Sequence, residues 1–196
     1  MHPLSRSRTR AARLLACAAM HVHPHILLIG PMGAGKTTLG RLLAARLARP
    51  FVDLDADIEA AAGRSIAALF ASEGEAGFRR REAQALAAAL AGTSAVIATG
   101  GGVVLDAGNR AAMRAAGTVV YLTVDPATQL ARLRDDTGRP LLQTADPAAT
   151  LAALQAQREP LYRETAHLAF DASMLTPDAA AHALADRLAT LESCPA

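Results

Sequence analysis

GPMGAGKT, at residues 30–37, carries the strongest structural signal in this 196-residue sequence. The segment matches the pattern G-x-x-x-x-G-K-[ST] and follows the apolar run ILLI at residues 26–29. Leucines recur at helical spacing directly after it, at positions 39, 42, 43 and 47. A buried strand, a glycine-rich turn and a helix N-terminus in this order aim backbone N–H groups at phosphate oxygens. The segment therefore predicts a phosphate-binding loop.

Two side chains of this loop carry the expected chemistry. Lys36 is the only lysine in the chain, and its compact ammonium group can bridge the β- and γ-phosphates of a nucleotide. The Thr37 hydroxyl is expected to ligate Mg²⁺. A glycine-rich turn without a ligand is the alternative, which the flanking strand and helix disfavour. The predicted ATP-binding residues of the loop are Gly33, Ala34, Gly35, Lys36, Thr37 and Thr38.

Outside the loop, short apolar runs alternate with helical patterns. Runs at residues 51–52, 96–98, 119–122 and 167–170 predict four further strands, and helices are predicted at about 56–62, 65–91 and 176–191. The helix at 65–91 is predicted to be interrupted near Gly74 and Gly77, and Ser72 with Glu75 has capping-box spacing for a new helix start. The alternation predicts an α/β protein, a three-layer P-loop NTPase fold. It has a mostly parallel five-stranded sheet, helices on both faces and a mobile lid at about 132–147.

Charge and composition limit the classes of partner. Residues 1–25 hold four arginines and no acid, so the remainder carries 16 basic and 18 acidic residues, a net charge of −2. This balance and the 3% aromatic content do not fit a nucleic-acid binder. No apolar stretch approaches the roughly 20 residues that span a bilayer. Cys17 and Cys194 form neither a disulfide framework nor a metal-binding spacing. We expect a cytoplasmic monomer without nucleic-acid or membrane partners.

The domain organisation predicted from these patterns has three parts. Residues 1–24 are predicted to be a disordered N-terminal extension, consistent with a start assigned too early, and a targeting segment is the alternative interpretation. Residues 25–191 form the phosphate-binding domain, with a substrate-binding segment at about 55–82. Residues 192–196 form a C-terminal tail.

Candidate carboxylates follow the second predicted strand. Asp53 and Asp55 are two residues apart, and in an extended chain such residues project to the same side. Ligands of open α/β sheets bind at the carboxyl ends of the strands. Asp53 is therefore expected in the Mg²⁺ site and Asp55 beside an acceptor hydroxyl, with capping of the next helix as the alternative. Asp57 is expected to cap or to face solvent.

Several arginines are placed to bind an anionic substrate. At most one or two of the three at positions 79–81 can reach one cleft, because helical residues turn by about 100° each. Glu82 is expected to pair with one of them. Arg139 and Arg158 follow farther along the chain, and the guanidinium fork matches a carboxylate with two parallel hydrogen bonds. Closure of the lid around Arg139 would exclude water from the transfer.

These landmarks together resemble the shikimate kinase family, in order and in spacing, over about residues 25–191. The matching pieces are GPMGAGKT at 30–37, DLD at 53–55, GRSI at 63–66, FRR at 78–80, GGG at 100–102, RPLL at 139–142 and REPLY at 158–162. The phosphate-binding loop alone is shared by many families, whereas the full set is specific.

The resemblance implies roles for individual residues. Asp55 would contact the ring hydroxyls of shikimate and act as base, and the two arginines Arg79 and Arg158 would hold its carboxylate. Arg139 would be the lid arginine, so that Lys36, Asp55 and Arg139 are the implied catalytic residues. The remaining implied contacts are Gly101, Gly102, Phe70 and Phe78 for shikimate, and Arg132, Arg139 and Pro177 for ATP.

The resemblance also implies a reaction, in which ATP and Mg²⁺ serve to phosphorylate shikimate to 3-phosphoshikimate. This step belongs to chorismate and aromatic amino acid biosynthesis. One alternative is a kinase of another small hydroxylated acid, such as gluconate. The other is a non-catalytic P-loop protein that regulates a partner.

Overall fold

The computed structural model describes residues 25–134 and 146–192. The predicted N-terminal extension lies outside the described residues. So do Arg139, with most of the predicted lid, and residues 193–196 of the tail. Their predicted roles stay predictions.

Five strands form one sheet, and every pairing between them is parallel. The strand order is β2-β3-β1-β4-β5. The sheet was predicted to be mostly parallel; within the described residues it is entirely so. The strands are β1 (His25–Ile29), β2 (Phe51–Asp53), β3 (Val96–Ala98), β4 (Gly117–Thr123) and β5 (Leu168–Asp171).

Helices connect the strands. Four of them, α1 to α3 and α7, lie where helices were predicted from the sequence, whereas no helix was predicted for the regions of α4, α5 and α6. A short 3₁₀ turn, Val103–Leu105, follows β3. The helices are α1 (Lys36–Arg46), α2 (Leu54–Ala62), α3 (Ile66–Leu90), α4 (Ala107–Ala116), α5 (Pro126–Leu133), α6 (Pro147–Thr165) and α7 (Pro177–Glu192). Within the described ranges, no helix combines the length and the apolar character that crossing a membrane requires.

The central strand, β1, contributes to two separate hydrophobic cores, because successive side chains of a strand point to opposite faces of the sheet. Ile26 and Leu28 pack with apolar residues of α1 and α7 on one face. Leu27 and Ile29 pack with residues of α3, α4 and α6 on the other. The continuous apolar run is thus the signature of a strand covered on both faces.

Helix α3 lies within the predicted range of about 65–91 and is interrupted where the sequence predicted, but not by the predicted capping box. Its N-cap is Ser65, whose hydroxyl accepts the N–H of Ala68 at 3.2 Å. Gly74 has non-helical angles (φ 67°, ψ −179°), which places the predicted interruption at this glycine. The predicted capping box is wrong: the Ser72 hydroxyl instead donates to the Ala68 carbonyl at 2.8 Å. Ser72, two residues before the bend, thus satisfies its hydroxyl on the preceding turn of the helix.

Candidate active site

The phosphate-binding loop, residues 30–37, joins β1 to α1. Its path depends on three glycines with positive φ angles, a conformation that other residues rarely adopt. Gly30, Gly33 and Gly35 have φ angles of 139°, 77° and 91°. A Cβ atom on Gly30 would collide with the backbone carbonyl of Leu122 on the neighbouring strand. Gly35 is the N-cap of α1 and has no side chain to cover the first N–H groups of the helix. These groups stay directed at the position that a phosphate would take.

Lys36 lies over this loop as the first residue of α1. Its Nζ donates to the carbonyls of Gly30 and Pro31, both at 2.8 Å. The ammonium group is therefore held inside the curve of the loop rather than extended into solvent. This position is the one from which a lysine can reach phosphate oxygens.

Thr37 and Asp53 link the loop to the end of β2. The Thr37 hydroxyl donates to Asp53 Oδ2 at 2.8 Å, while Asp53 Oδ1 accepts the N–H groups of Asp55 and Ala56 at 3.2 and 3.4 Å. Asp53 therefore caps α2, as the alternative interpretation held, and also contacts the predicted metal-binding threonine. A hydroxyl and a carboxylate this close are hard oxygen donors that fit Mg²⁺. Among the described residues, no group of three or more His, Cys, Asp or Glu could hold a metal by itself.

Asp55 reaches the site from a helix, so the argument from strand alternation is wrong. Helix α2 begins at Leu54, and Asp55 is in its first turn. Its Oδ1 lies 2.8 Å from the position of a Cβ atom on Gly100, and Glu82 Oε1 lies at the same distance from that position. The two carboxylates therefore converge on the segment 100–102 that follows β3, which we call the triple-glycine segment.

Arg79 lies against Gly102, at the other end of this segment. A Cβ atom on Gly102 would collide with the Arg79 guanidinium, which shows how closely the arginine lies on the backbone. Arg79 Nη1 donates to Glu82 Oε2 at 2.7 Å, and its Nη2 pairs with Glu75 at 3.2 Å. Burial raises the pKa of the Glu82 carboxyl above its ordinary value, although the neighbouring Arg79 acts in the opposite direction.

Arg158 and Tyr162 approach the triple-glycine segment from α6. Arg158 is 6% exposed, and its Nη1 lies 3.6 Å from the position of a Cβ atom on Gly101. The Tyr162 hydroxyl donates to the Gly101 carbonyl at 2.5 Å, and its ring stacks on Tyr121 with 5.0 Å between centroids. Burial raises the pKa of the Tyr162 hydroxyl to about 12, so it remains a donor at physiological pH.

The aromatic residues predicted for the substrate pocket form a second stack. Phe70 and Phe78 lie with their ring centroids 4.6 Å apart, and the Arg79 guanidinium carbon is 5.4 Å from the Phe78 ring centroid. Of the neighbouring arginines, Arg80 is exposed and Arg81 pairs with Glu73 at 2.8 Å. One arginine of the three thus reaches the site, within the number that helical geometry allows.

The predicted nucleotide contacts are distributed over the loop, α1, α5 and α7. Arg132, in α5, donates from Nη1 to the Gly33 carbonyl at 3.1 Å. Pro177 is exposed at the first position of α7. Thr38 is exposed in the first turn of α1, and Ala34 is 2% exposed. Their contacts to ATP stay predictions.

The structure therefore gathers Asp55, Arg79 and Arg158 around the triple-glycine segment, beside the phosphate-binding loop. No role was predicted from the sequence for Tyr162 or Gln129, and only an ion pair was predicted for Glu82. Gln129 donates to the Met32 carbonyl of the loop at 2.9 Å. Helical spacing could have identified two of them, because Glu82 is three residues from Arg79 and Tyr162 is four from Arg158.

Comparison with known proteins agrees with this arrangement. The family model described as shikimate kinase matches residues 32–189. The chain is 52% identical over 172 residues to a shikimate kinase of Stenotrophomonas maltophilia strain K279a, covering 87% of this chain and 95% of that protein. It is 46% identical to a shikimate kinase of Xanthomonas campestris pv. campestris over 180 residues, covering 90% of this chain and all of the relative.

Solved structures give the same result. The shikimate kinase of Acinetobacter baumannii in complex with shikimate superposes with a TM-score of 0.84 at 41% identity, covering 86% of this chain and 94% of that one. The enzyme of Bacteroides thetaiotaomicron superposes with a TM-score of 0.78 at 35% identity, covering 87% of this chain and 99% of its own. With the family model, the relatives and the site geometry in agreement, this chain belongs to the shikimate kinase family.

Proposed function

We propose that this chain transfers the γ-phosphoryl group of ATP to the 3-hydroxyl of shikimate, giving ADP and 3-phosphoshikimate. One observation carries the proposal: two arginines and a carboxylate converge on a glycine-rich turn directly beside a phosphate-binding loop. Such a site fits a small acid that bears a carboxylate at one end and a hydroxyl at the other. Family membership and the identities near 50% favour shikimate over gluconate or a purely regulatory role.

Arg79 and Arg158 would hold the substrate carboxylate. They approach the triple-glycine segment from different helices, α3 and α6, at Gly102 and Gly101 respectively. Two guanidinium groups on separate helices can pair with the negative charge of a planar carboxylate and also set its orientation. The stacked Phe70 and Phe78 would form an apolar wall for the ring of the substrate.

Asp55 would orient the acceptor hydroxyl and receive its proton. Its position in the first turn of α2 follows directly from the cap that Asp53 provides. The capped first turn of α2 therefore holds the Asp55 carboxylate in a fixed position. From there it would keep the acceptor hydroxyl of shikimate in line with the γ-phosphoryl group. Gly101 and Gly102 would let the ring approach the backbone.

The nucleotide would bind across the phosphate-binding loop. Lys36 would exchange its two carbonyl partners for oxygens of the β- and γ-phosphates, and the first N–H groups of α1 would complete the cradle. Thr37 and Asp53 would hold Mg²⁺, which neutralises charge on the phosphate oxygens when bound. Arg132 and Pro177 are proposed for the adenine side. We further propose a monomer in the cytoplasm, where the ATP that the reaction consumes is supplied.

The test is release of ADP from Mg-ATP in a coupled assay, with shikimate, gluconate and AMP compared as acceptors. Shikimate-dependent turnover far above that with the other two is expected. Equal rates with all three, or ATP binding without turnover, would contradict the proposal while leaving the fold intact.

A further inference from the structure

A small cavity lies between α6 and the phosphate-binding loop. Its volume is about 10 Å³, and its walls include Pro31 and Met32 of the loop and Leu151 and Leu154 of α6. This is close to the room that one water molecule needs. A cavity of this size stays dry when its walls are apolar, so its polar lining decides what it holds.

Two buried polar atoms without a hydrogen-bond partner among the described residues belong to residues that line this cavity. They are Oε1 of Gln155 and Nε of Arg158. The first is an acceptor and the second a donor, and the residues are three apart on one face of α6. A buried polar group left unpaired costs about 1–3 kcal/mol, so two of them beside one cavity call for a shared partner.

The orientation of the Gln155 amide is fixed by its other contacts. Its Nε2 donates to the Tyr121 hydroxyl at 3.0 Å and to Glu159 Oε2 at 3.2 Å. An ionised carboxylate only accepts, so the amide nitrogen must face Glu159 and the amide oxygen must face away from it. The amide oxygen, Oε1, therefore points away from Glu159, and both Gln155 and Arg158 line the cavity.

We propose that one ordered water molecule in this cavity accepts the Nε–H of Arg158 and donates to Gln155 Oε1, and that Gln155 is thereby a positioning residue for substrate binding. The proposal rests on the proposed function, in which the Nη atoms of Arg158 hold the carboxylate of shikimate. Anchoring Nε fixes the plane of the guanidinium before substrate arrives, which lowers the ordering cost of binding. The same water would contact the phosphate-binding loop, whose residues Pro31 and Met32 line the cavity. It would therefore link the proposed nucleotide site to the proposed shikimate site.

The first test is a crystal structure of the ligand-free wild-type protein at a resolution that resolves water. A density peak within hydrogen-bond distance of both Gln155 Oε1 and Arg158 Nε is expected. An empty cavity, or a direct bond between the two side chains, would overturn the proposal. This result does not depend on the substrate, so absent shikimate turnover beside an intact peak would reject the proposed function alone.

The second test is kinetic and uses Gln155→Met, which removes the acceptor and keeps the length of the side chain. The KM for shikimate is expected to rise about 5- to 20-fold, with kcat and the KM for ATP within about twofold. Tyr121→Phe is the matched control, since it removes another partner of Gln155 and leaves Oε1 in place; its KM for shikimate should stay within about twofold. Equal rises in both variants, or a loss confined to kcat, would contradict the role. If Gln155→Met does not fold, the electron density for water in the wild-type crystal structure alone tests the proposal.

Discussion

Arg79 and Glu82 form an ion pair of 2.7 Å between Nη1 and Oε2, one turn apart on α3, and Glu82 is only 1% exposed. The other carboxylate oxygen, Oε1, has no hydrogen-bond partner within the described segments and points to the side where Asp55 and the triple-glycine segment lie. A buried acid is thus held beside a second acid by one arginine. We expect such an arrangement to orient the arginine rather than to stabilise the fold.

Replacement of Glu82 by glutamine tests whether its carboxylate orients Arg79 or stabilises the fold. The folded protein raises the pKa of Glu82, mainly through burial, so it binds this proton more tightly than the unfolded chain does. The contribution of Glu82 to stability is therefore full below the ordinary carboxyl pKa of about 4.3 and is lost as pH rises towards the folded value. We expect the free energy of unfolding of Glu82→Gln, relative to wild type, to increase across this pH window.

Urea denaturation of both proteins at a series of pH values measures this difference, because the other carboxylates cancel in the comparison. The KM for shikimate should rise in the same variant, since Arg79 loses its charged partner. A relative stability that falls with rising pH would show that the carboxylate stabilises the fold instead.

Substitution of Gly102 by alanine should displace Arg79. The added methyl group would occupy the space of the guanidinium, whereas the φ of Gly102, −97°, suits any residue. The effect is therefore steric: the methyl group displaces Arg79 and narrows the space proposed for the substrate ring, while the backbone of the turn stays as it is. We expect a rise of at least about tenfold in the KM for shikimate and a loss of less than about 1 kcal/mol in stability.

Gly108→Ala is the comparison variant. Gly108 is exposed in the first turn of α4, where a methyl group would meet only the Asp106 side chain, at 3.0 Å. Its kinetic constants should match wild type. If Gly102→Ala also kept the wild-type KM, Arg79 would not be a substrate contact.

Removal of the Tyr162 hydroxyl should cost stability. The hydroxyl donates to the Gly101 carbonyl at 2.5 Å inside the core, and phenylalanine leaves that carbonyl without this donor. A loss of about 1–3 kcal/mol in the free energy of unfolding is expected for Tyr162→Phe, measured by urea denaturation. Tyr121→Phe is the control, because the Tyr121 hydroxyl accepts a side-chain N–H from Gln155 and, among the described residues, donates to no backbone carbonyl. A loss no greater than that of Tyr121→Phe would contradict the assigned role.

The sequence predicted the elements whose signal is local and missed those whose signal is not. The run at residues 26–29 predicted β1 because burial on both faces makes a strand uniformly apolar. Helix α6 was missed because Pro160 lies inside it and alanines blur its apolar face. Asp55 was assigned to the site by an argument from strands, although a helix places it there. The contacts of Tyr162 and Gln155 could not be predicted, since they join residues 34 to 61 positions apart.

Loss of the Lys36 ammonium should reduce the rate of phosphoryl transfer. Lys36→Met keeps the length of the side chain and removes the charge proposed to contact the transferring phosphate. We expect kcat to fall by about 10²–10³, the effect of removing one preorganised charge contact. Arg41→Met, on the same helix but exposed and packed on Phe51, should keep the wild-type kcat. A variant at Lys36 with nearly normal kcat would rule out this role.

Replacement of Arg158 by lysine tests whether its fork or its charge binds the substrate. Lysine keeps the positive charge but supplies a single point of donation, so two parallel hydrogen bonds to a carboxylate become one. We expect the KM for shikimate to rise at least about tenfold while the KM for ATP changes by less than about twofold. Arg163→Lys is the matched control on the same helix, since Arg163 is exposed and pairs with Glu159 away from the triple-glycine segment. If the affinity for ATP fell and that for shikimate did not, Arg158 would belong to the nucleotide side, and the orientation proposed for both substrates would have to be reversed.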